Sequence, residues 1–464
     1  MTSEMWVPDI TKIPGPRYLA VAGAIARAID NGELPPGAQL PPQRDLAERL
    51  GVTVGTVSRA YGLAKKRRLI AGEVGRGTFV QGLAQRERSS NVIPSNDERG
   101  IDLACFRSPV EGLSEEILKA LTEIGERASL LPLHKYPPGA GSMSHRLAGT
   151  SWISRFGFDV PVENVLVVSG AQQAIAVCLT TLASHGDVVL TEELTYSGVK
   201  ALAGIQGLRL EAIAMDEHGM IPEALEMAAR NTGARVVYLQ PSIHNPTTAM
   251  MPEARRRQIA AIAERLDLVL IEDDAAASAV TERPVPVSAL IPERSCYITS
   301  LSKSVSPTLR VAYIAAGRQL IGTLTDTFHT FALSASPVTA EVAAQLIGNG
   351  TADEIARNYV ASMTKRLQVV RDTLGGHPIQ SYPGAFYFWL TLPDRWNPDD
   401  FVVAAKRGGI SVAPVDSFLV ERQRMKSGIR VSLNPASQPD ILRKGLTAIS
   451  DLLGARPQTR QTVI

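Results

Sequence analysis

Thr299-Ser300-Leu301-Ser302-Lys303-Ser304-Val305-Ser306-Pro307-Thr308-Leu309-Arg310-Val311-Ala312-Tyr313 sets one lysine on a polar loop between two apolar runs, Cys296–Ile298 and Val311–Ile314. Runs of this kind read as buried strands. A buried-strand flank desolvates an ammonium and lowers its pKa, which is what an imine-forming lysine requires. The hydroxyls of Ser300 and Ser302 and the guanidinium of Arg310 are natural phosphate donors close by in sequence. The competing reading of this stretch alone is an exposed loop lysine beside chance serines.

Around it, residues 101–464 alternate apolar strands with helical stretches. Asn164–Val168, Asp187–Leu190, Leu208–Ala214, Arg235–Leu239, Leu268–Ile271, Cys296–Ser300 and Arg310–Ala315 are strand candidates. Helical segments between several of them favour an α/β sheet covered on both faces. Ser169-Gly170-Ala171-Gln172 follows a strand and opens a helix, a ready phosphate site. Tyr196 follows the next strand and offers a face for ring stacking. In Asn245-Pro246 an amide sits on a turn, and Glu272-Asp273-Asp274 closes the strand Leu268–Ile271. Gly428-Ile429-Arg430-Val431-Ser432 puts a fork-shaped guanidinium inside an apolar strand, where a carboxylate would offset its burial. Each of these signals is weak by itself: a surface strand with one arginine, an ordinary turn, a solvated acid pair.

The formal net charge is +2, yet residues 1–80 carry eleven Lys/Arg against seven Asp/Glu. The basic excess is N-terminal, which suits a nucleic-acid-facing front end. Arg17–Ile29 has helical spacing, Gln43–Leu50 is a short helix ended by Gly51, and Thr53 can cap a third helix, Val54–Arg68. Ala71–Val80 reads as a hairpin with a basic, glycine-rich tip. This order describes a winged helix-turn-helix, whose third helix meets base edges with its N-terminal residues. Thr53, Thr56 and Arg59 lie on that helix, and Arg44 and Arg76 are placed for phosphates or a groove. An amphipathic appendage with a solvated Lys65–Arg68 run is the bland alternative.

Between the two, residues 82–100 are polar and aperiodic and read as a tether. Cys105, Cys178 and Cys296 lie far apart, without metal-ligand spacing, so no metal site is expected. No apolar run approaches membrane-spanning length, and Met1–Pro16 lacks the core of a signal peptide. The expected location is cytoplasmic, with the cysteines as buried thiols.

Residues 14–81 resemble the GntR family of regulators through Leu40–Ala47, Thr53–Tyr61 and the Gly75–Thr78 wing. Residues 101–455 resemble the fold-type I, class I aminotransferase-like domain, which binds pyridoxal 5'-phosphate (PLP). The combination is similar to the MocR subfamily of bacterial transcription regulators. The resemblance implies a large domain at about residues 151–335 and a smaller lobe from 101–150 with 336–455. It also implies that Gly170, Ala171, Gln172, Ser300 and Arg310 hold the phosphate and that Tyr196 stacks on the ring. Asn245 would bond the ring oxygen, Asp273 the ring nitrogen, and Lys303 would form the imine. Arg430 would take an amino-acid carboxylate, and Tyr136 would reach the cofactor phosphate of the partner subunit in a homodimer. One departure stands out: Ala275 follows Asp273-Asp274 where the family commonly has tyrosine.

The expected function is thus a PLP-dependent regulator that binds an operator in double-stranded DNA and senses an amino compound, with at most residual transaminase activity. The alternatives are an aminotransferase with a DNA-binding or tethering appendage, and a repressor that senses PLP itself.

Overall fold

The computed structural model describes residues 6–8, 10, 16–30, 33–35, 38–66, 69–73, 77–80, 100–105, 113–126, 136–421, 427–433 and 439–455. The chain forms two units, residues 1–91 and 92–464.

In the first unit, helix Arg17–Asp30 buries Ala20, Val21, Ala24, Ile25 and Ala28, the repeat of one apolar helix face. Helix Gln43–Leu50 stops at Gly51, whose φ of 62° lets its N–H turn back to the carbonyls of Ala47 and Glu48. Thr53 then caps helix Val54–Lys66, its Oγ1 accepting the Thr56 N–H at 3.2 Å. Tyr61 on that helix is buried and donates its hydroxyl to the Pro41 carbonyl at 2.7 Å, which ties the third helix to the start of the second. Strands Ile70–Glu73 and Gly77–Val80 pair antiparallel, with Gln39–Leu40 on the far side of Gly77–Val80. Three helices and this small sheet make a winged helix-turn-helix. The wing tip with Arg76, and the expected tether apart from Gly100, lie outside the described residues.

The second unit is built on a seven-stranded sheet in the order Val165–Val168, Ala312–Ala316, Ser295–Ser300, Val269–Asp273, Val236–Leu239, Val188–Glu192, Arg209–Ile213. Each apolar run picked from the sequence is one of these strands. Ala312–Ala316 runs antiparallel to both neighbours, and the remaining pairs are parallel. The central strands are buried along their length, as strands covered on both faces must be. Helix Met143–Ser154 lies so close to the sheet that a Cβ on Gly149 would come within 2.5 Å of the Tyr313 ring.

A second sheet, antiparallel throughout, runs Ile379–Gln380, Tyr387–Thr391, Gly428–Ser432, Ala413–Pro414. Ile101–Asp102 pairs with Ile410–Ser411, and the Ser432 N–H reaches the Leu103 carbonyl at 2.7 Å. Residues 101–105 therefore run alongside the C-terminal sheet. Among the described residues no helix is long and apolar enough to cross a membrane.

Candidate functional site

All strands of the large sheet except Ala312–Ala316 point their C-terminal ends to one edge, where ligands of open α/β sheets sit. Asp273 is the last residue of its strand and is buried. Its Oδ2 accepts the Tyr238 hydroxyl at 2.6 Å and the Gln240 Nε2–H at 3.1 Å, and its Oδ1 accepts the Ala275 N–H at 3.1 Å. Burial pushes the carboxyl's pKa up, and these donors pull against that. Glu192 closes the cluster by accepting the Gln240 backbone N–H at 3.0 Å; burial pushes its pKa to about 7. The acids on either side of Asp273 face elsewhere. Glu272 accepts the N–H groups of Val287 and Ser288, while Asp274 is locked to Arg283 and the Tyr297 hydroxyl.

Lys303 lies on the loop after Ser295–Ser300, its Nζ 5.2 Å from the centre of the Phe386 ring. Burial lowers its pKa to about 7, and the positive charges of Arg430 and Arg310 add to the shift. Arg310, in the left-handed region with φ 52°, reaches the Ser302 hydroxyl and the Ser169 carbonyl, both at 3.4 Å. Its guanidinium occupies the space in which a Cβ on Gly170 would have to fit, and Gly170 has a φ of 96°. Helix Ala171–Leu182 starts there with its N–H groups towards the same corner. Gln172 keeps a buried Oε1 with no hydrogen-bond partner. Of the two serines, Ser300 donates to the Val311 carbonyl and accepts the Ser302 N–H, so its hydroxyl shapes the loop. The Ser302 hydroxyl is the one that meets Arg310.

Tyr196 is half-buried on the loop leading into helix Ser197–Gln206, and Gly198 leaves room for its ring. Burial and the nearby Asp273 raise its hydroxyl pKa. Arg430, on strand Gly428–Ser432, donates Nη1–H to Asn245 Oδ1 and Nη2–H to the Ala104 carbonyl, both at 2.8 Å. Among the described residues its Nε meets no partner, and its guanidinium lies 4.9 Å from the Phe418 ring and 5.4 Å from the Tyr387 ring. With Oδ1 of Asn245 engaged, its Nδ2 is the group left to donate to a ligand. Backbone bonds strap the Tyr196 loop to residues 418–420. Thr195 N–H donates to the Phe418 carbonyl at 2.9 Å, and Val420 N–H to the Glu193 carbonyl at 3.0 Å. Lys200 Nζ adds bonds to the carbonyls of Asp416 and Ser417, each 3.2 Å. Tyr136 is 84% exposed and belongs to none of this.

Tyr238, Gln240, Phe386, Phe418 and Ala104 escaped the sequence reading. Tyr238 alone left a signal there, because a tyrosine in a fully buried strand needs a partner for its hydroxyl.

In the first unit, Arg17, Tyr18, Thr53, Gly55, Thr56 and Arg59 line one open cleft. The Arg59 guanidinium lies 5.5 Å from the Tyr18 ring centre. Arg44 is exposed in the first turn of helix Gln43–Leu50.

The gntR family of bacterial regulatory proteins matches residues 17–80, and aminotransferase class I and II matches residues 108–449. The HTH-type transcriptional regulator YdeF of Bacillus subtilis is 30% identical over 97% of this chain and 96% of its own length. The chain belongs to the MocR-type regulators. YjiR of Escherichia coli, also described as an HTH-type transcriptional regulator, is 29% identical over 65% of this chain and 69% of its own. Among solved structures, an archaeal alanine:glyoxylate aminotransferase superposes with a TM-score of 0.71 at 21% identity, covering 85% of this chain and 98% of that one. The multiple substrate aminotransferase of Thermococcus profundus gives 0.70 at 22%, covering 77% and 92%. These establish the fold of this MocR-type body. The cofactor of that family is PLP. The pocket fits it, with a glycine-lined helix start, an arginine and a hydroxyl at one corner, and a buried hydrogen-bonded carboxylate and a lysine of lowered pKa within the same site.

Because the Lys303 amine is half neutral at about pH 7, PLP uptake by the apo-protein should rise through that pH and then level off. Stopped-flow absorbance measures this, and Arg430→Gln should move the midpoint upward by removing a nearby positive charge. A rate still climbing where ordinary lysines titrate would contradict the assignment.

Tyr238→Phe should weaken PLP binding roughly tenfold, the worth of a hydrogen bond to a charged group, and alter the cofactor's visible spectrum. Tyr313→Phe, which removes a buried hydroxyl that has no partner, is the control and should change affinity by less than about twofold.

Proposed function

We propose that the protein is a DNA-binding transcription regulator that holds PLP at Lys303 and responds to an amino acid or related amine. The observation that carries this reading is that Lys303 and Arg430 lie against the adjoining rings of Phe386 and Tyr387, in a chain whose first unit is a winged helix-turn-helix. When bound, PLP supplies an aldehyde that couples to primary amines and a ring that withdraws electrons. The chain supplies the rest. Gly170, Ala171, Gln172, Arg310 and the Ser300–Ser302 loop take the phosphate, with Ser302 the better-placed hydroxyl. With the cofactor bound, Asp273 would keep a proton on the ring nitrogen, Asn245 would donate to the ring oxygen, and Tyr196 would cover the ring face.

Arg430 receives the effector's carboxylate, exchanging neutral carbonyl acceptors for an anion. Lys303 Nζ would engage the aldehyde and Arg430 an effector's carboxylate, and an effector occupying both places would favour a different arrangement of the body. Ala275 brings only a methyl where a tyrosine hydroxyl would help position the ring, and this favours sensing over turnover. The intact set of Asp273, Lys303 and Arg430 is what favours the second reading, an aminotransferase with an appended DNA-binding head. Arg44, Thr53, Thr56, Arg59 and Arg76 are the DNA-facing residues of the proposal.

A homodimer belongs to this reading. Leu118, Leu121, Met143, Leu147, Phe331 and Leu333 are exposed apolar residues on helices Leu113–Glu126 and Met143–Ser154 and at the end of Arg318–Ala332. Helix Pro337–Gly348 packs against the first two of these helices, and the turn that follows Tyr136 lies on the third, with Gly139 next to His329. Apolar side chains exposed on neighbouring helices support an association surface, with the turn after Tyr136 reaching one of those helices. Light scattering should give twice the 49.8 kDa chain mass, and a monomer at working concentration would sink the shared-site role of Tyr136.

Duplex affinity with PLP present should change on adding at least one amino compound from a panel of α-, β- and γ-amino acids. In Arg430→Gln that response should vanish while the PLP spectrum persists. No response to any amine overturns sensing, and stoichiometric conversion to keto acid with unchanged DNA binding points to the enzyme.

A further inference from the structure

The start of helix Val54–Lys66 is more apolar than its two threonines suggest. Thr53 Oγ1 accepts the Thr56 N–H at 3.2 Å and lies 2.9 Å from Thr56 Oγ1, so the pair turns much of its hydrogen-bonding capacity onto itself. What the first turn then offers outward is methyl surface. Val54, the first residue of the helix, is 46% exposed, while Val57, Ala60, Tyr61 and Ala64 further along carry the helix's share of the core. Gly55 follows it without a side chain, and a Cβ built there would meet nothing nearer than Thr53 Oγ1 at 3.8 Å. Beside this lip lies the cleft of Arg17, Tyr18 and Arg59.

A single exposed valine is ordinary on a protein surface. Its position is not ordinary, because the first turn of the third helix in a helix-turn-helix is where side chains meet base edges. Valine has neither donor nor acceptor. In the major groove the one apolar group that a base pair presents is the thymine C5-methyl. We infer that Val54 is a specificity-determining residue that reads a thymine methyl, and that Gly55 lets the helix approach the groove closely enough for the contact. Arg59, steadied over the Tyr18 ring, supplies charge on the same helix. This inference rests on the DNA-binding reading and adds to it a base identity and the residue that selects it.

The test uses the full-length protein and a pool of random-sequence duplexes, from which bound molecules are recovered and sequenced. In the recovered consensus each thymine is replaced in turn by uracil, which keeps the pairing and removes only the methyl. Fluorescence anisotropy should show one position per half-site at which uracil weakens wild-type binding by about three- to fivefold, the worth of one buried methyl. In Val54→Ala that penalty should fall below about twofold, with the other positions unchanged. Val54→Arg should exchange thymine for guanine at the same position. A consensus that tolerates uracil everywhere, or a penalty that persists in Val54→Ala, overturns the inference and leaves DNA binding intact. A protein that retains no duplex from the pool overturns the DNA-binding reading and this inference together.

Discussion

A carboxylate taken out of water has to be held by something, and the way Asp273 is held governs the second unit. Its partners are the Tyr238 hydroxyl, the Gln240 amide and the Ala275 N–H, all of them neutral. Asp274, one residue later, is matched instead by the Arg283 guanidinium, a full countercharge that leaves nothing over for a ligand. The difference follows from the pleat of a strand. Successive side chains leave on opposite faces, so Asp273 shares its face with Tyr238 on the neighbouring strand and with Gln240 just past its end, while Glu272 and Asp274 turn the other way. Only the middle acid of the three is left able to attract a positive charge from outside the protein.

Much of this was legible in the sequence because strand burial and loop chemistry are local properties. The seven apolar runs became the seven strands of the sheet, and the strand ends and the loops after them carry Gly170, Tyr196, Asn245, Asp273 and Lys303 at a common edge. What stayed hidden depends on register. Nothing local to Val236–Leu239 says that Tyr238 lies alongside Ile271 and so within reach of Asp273. Nor could spacing decide between the serines flanking Leu301, because the loop closes through the Ser300 hydroxyl and frees that of Ser302. Ala104 and Phe418 are further cases: 326 residues separate Ala104 from the arginine it bonds. The long-range pairing of Ile101–Asp102 with Ile410–Ser411 is what brings it there.

The DNA-binding unit teaches the same point at smaller scale. Sequence pattern identified Thr53 as a cap and Thr53 and Thr56 as candidate readers of bases. A hydroxyl that caps its own helix has less to give outward, so the two roles compete for the same lone pairs. The cap is intramolecular and always available, so it has first claim.

The straps between the loop at 193–195 and residues 418–420 tie the surroundings of Tyr196 and Arg430 into one mechanical linkage. The Phe418 ring rests beside the Arg430 guanidinium, and the backbone of the same residue holds Thr195, next to Tyr196. Pulling Phe418 away from its arginine therefore drags Tyr196 with it, unless two main-chain bonds break first. Any displacement at Arg430 and any tilt of Tyr196 are geared to each other by a few ångströms of backbone.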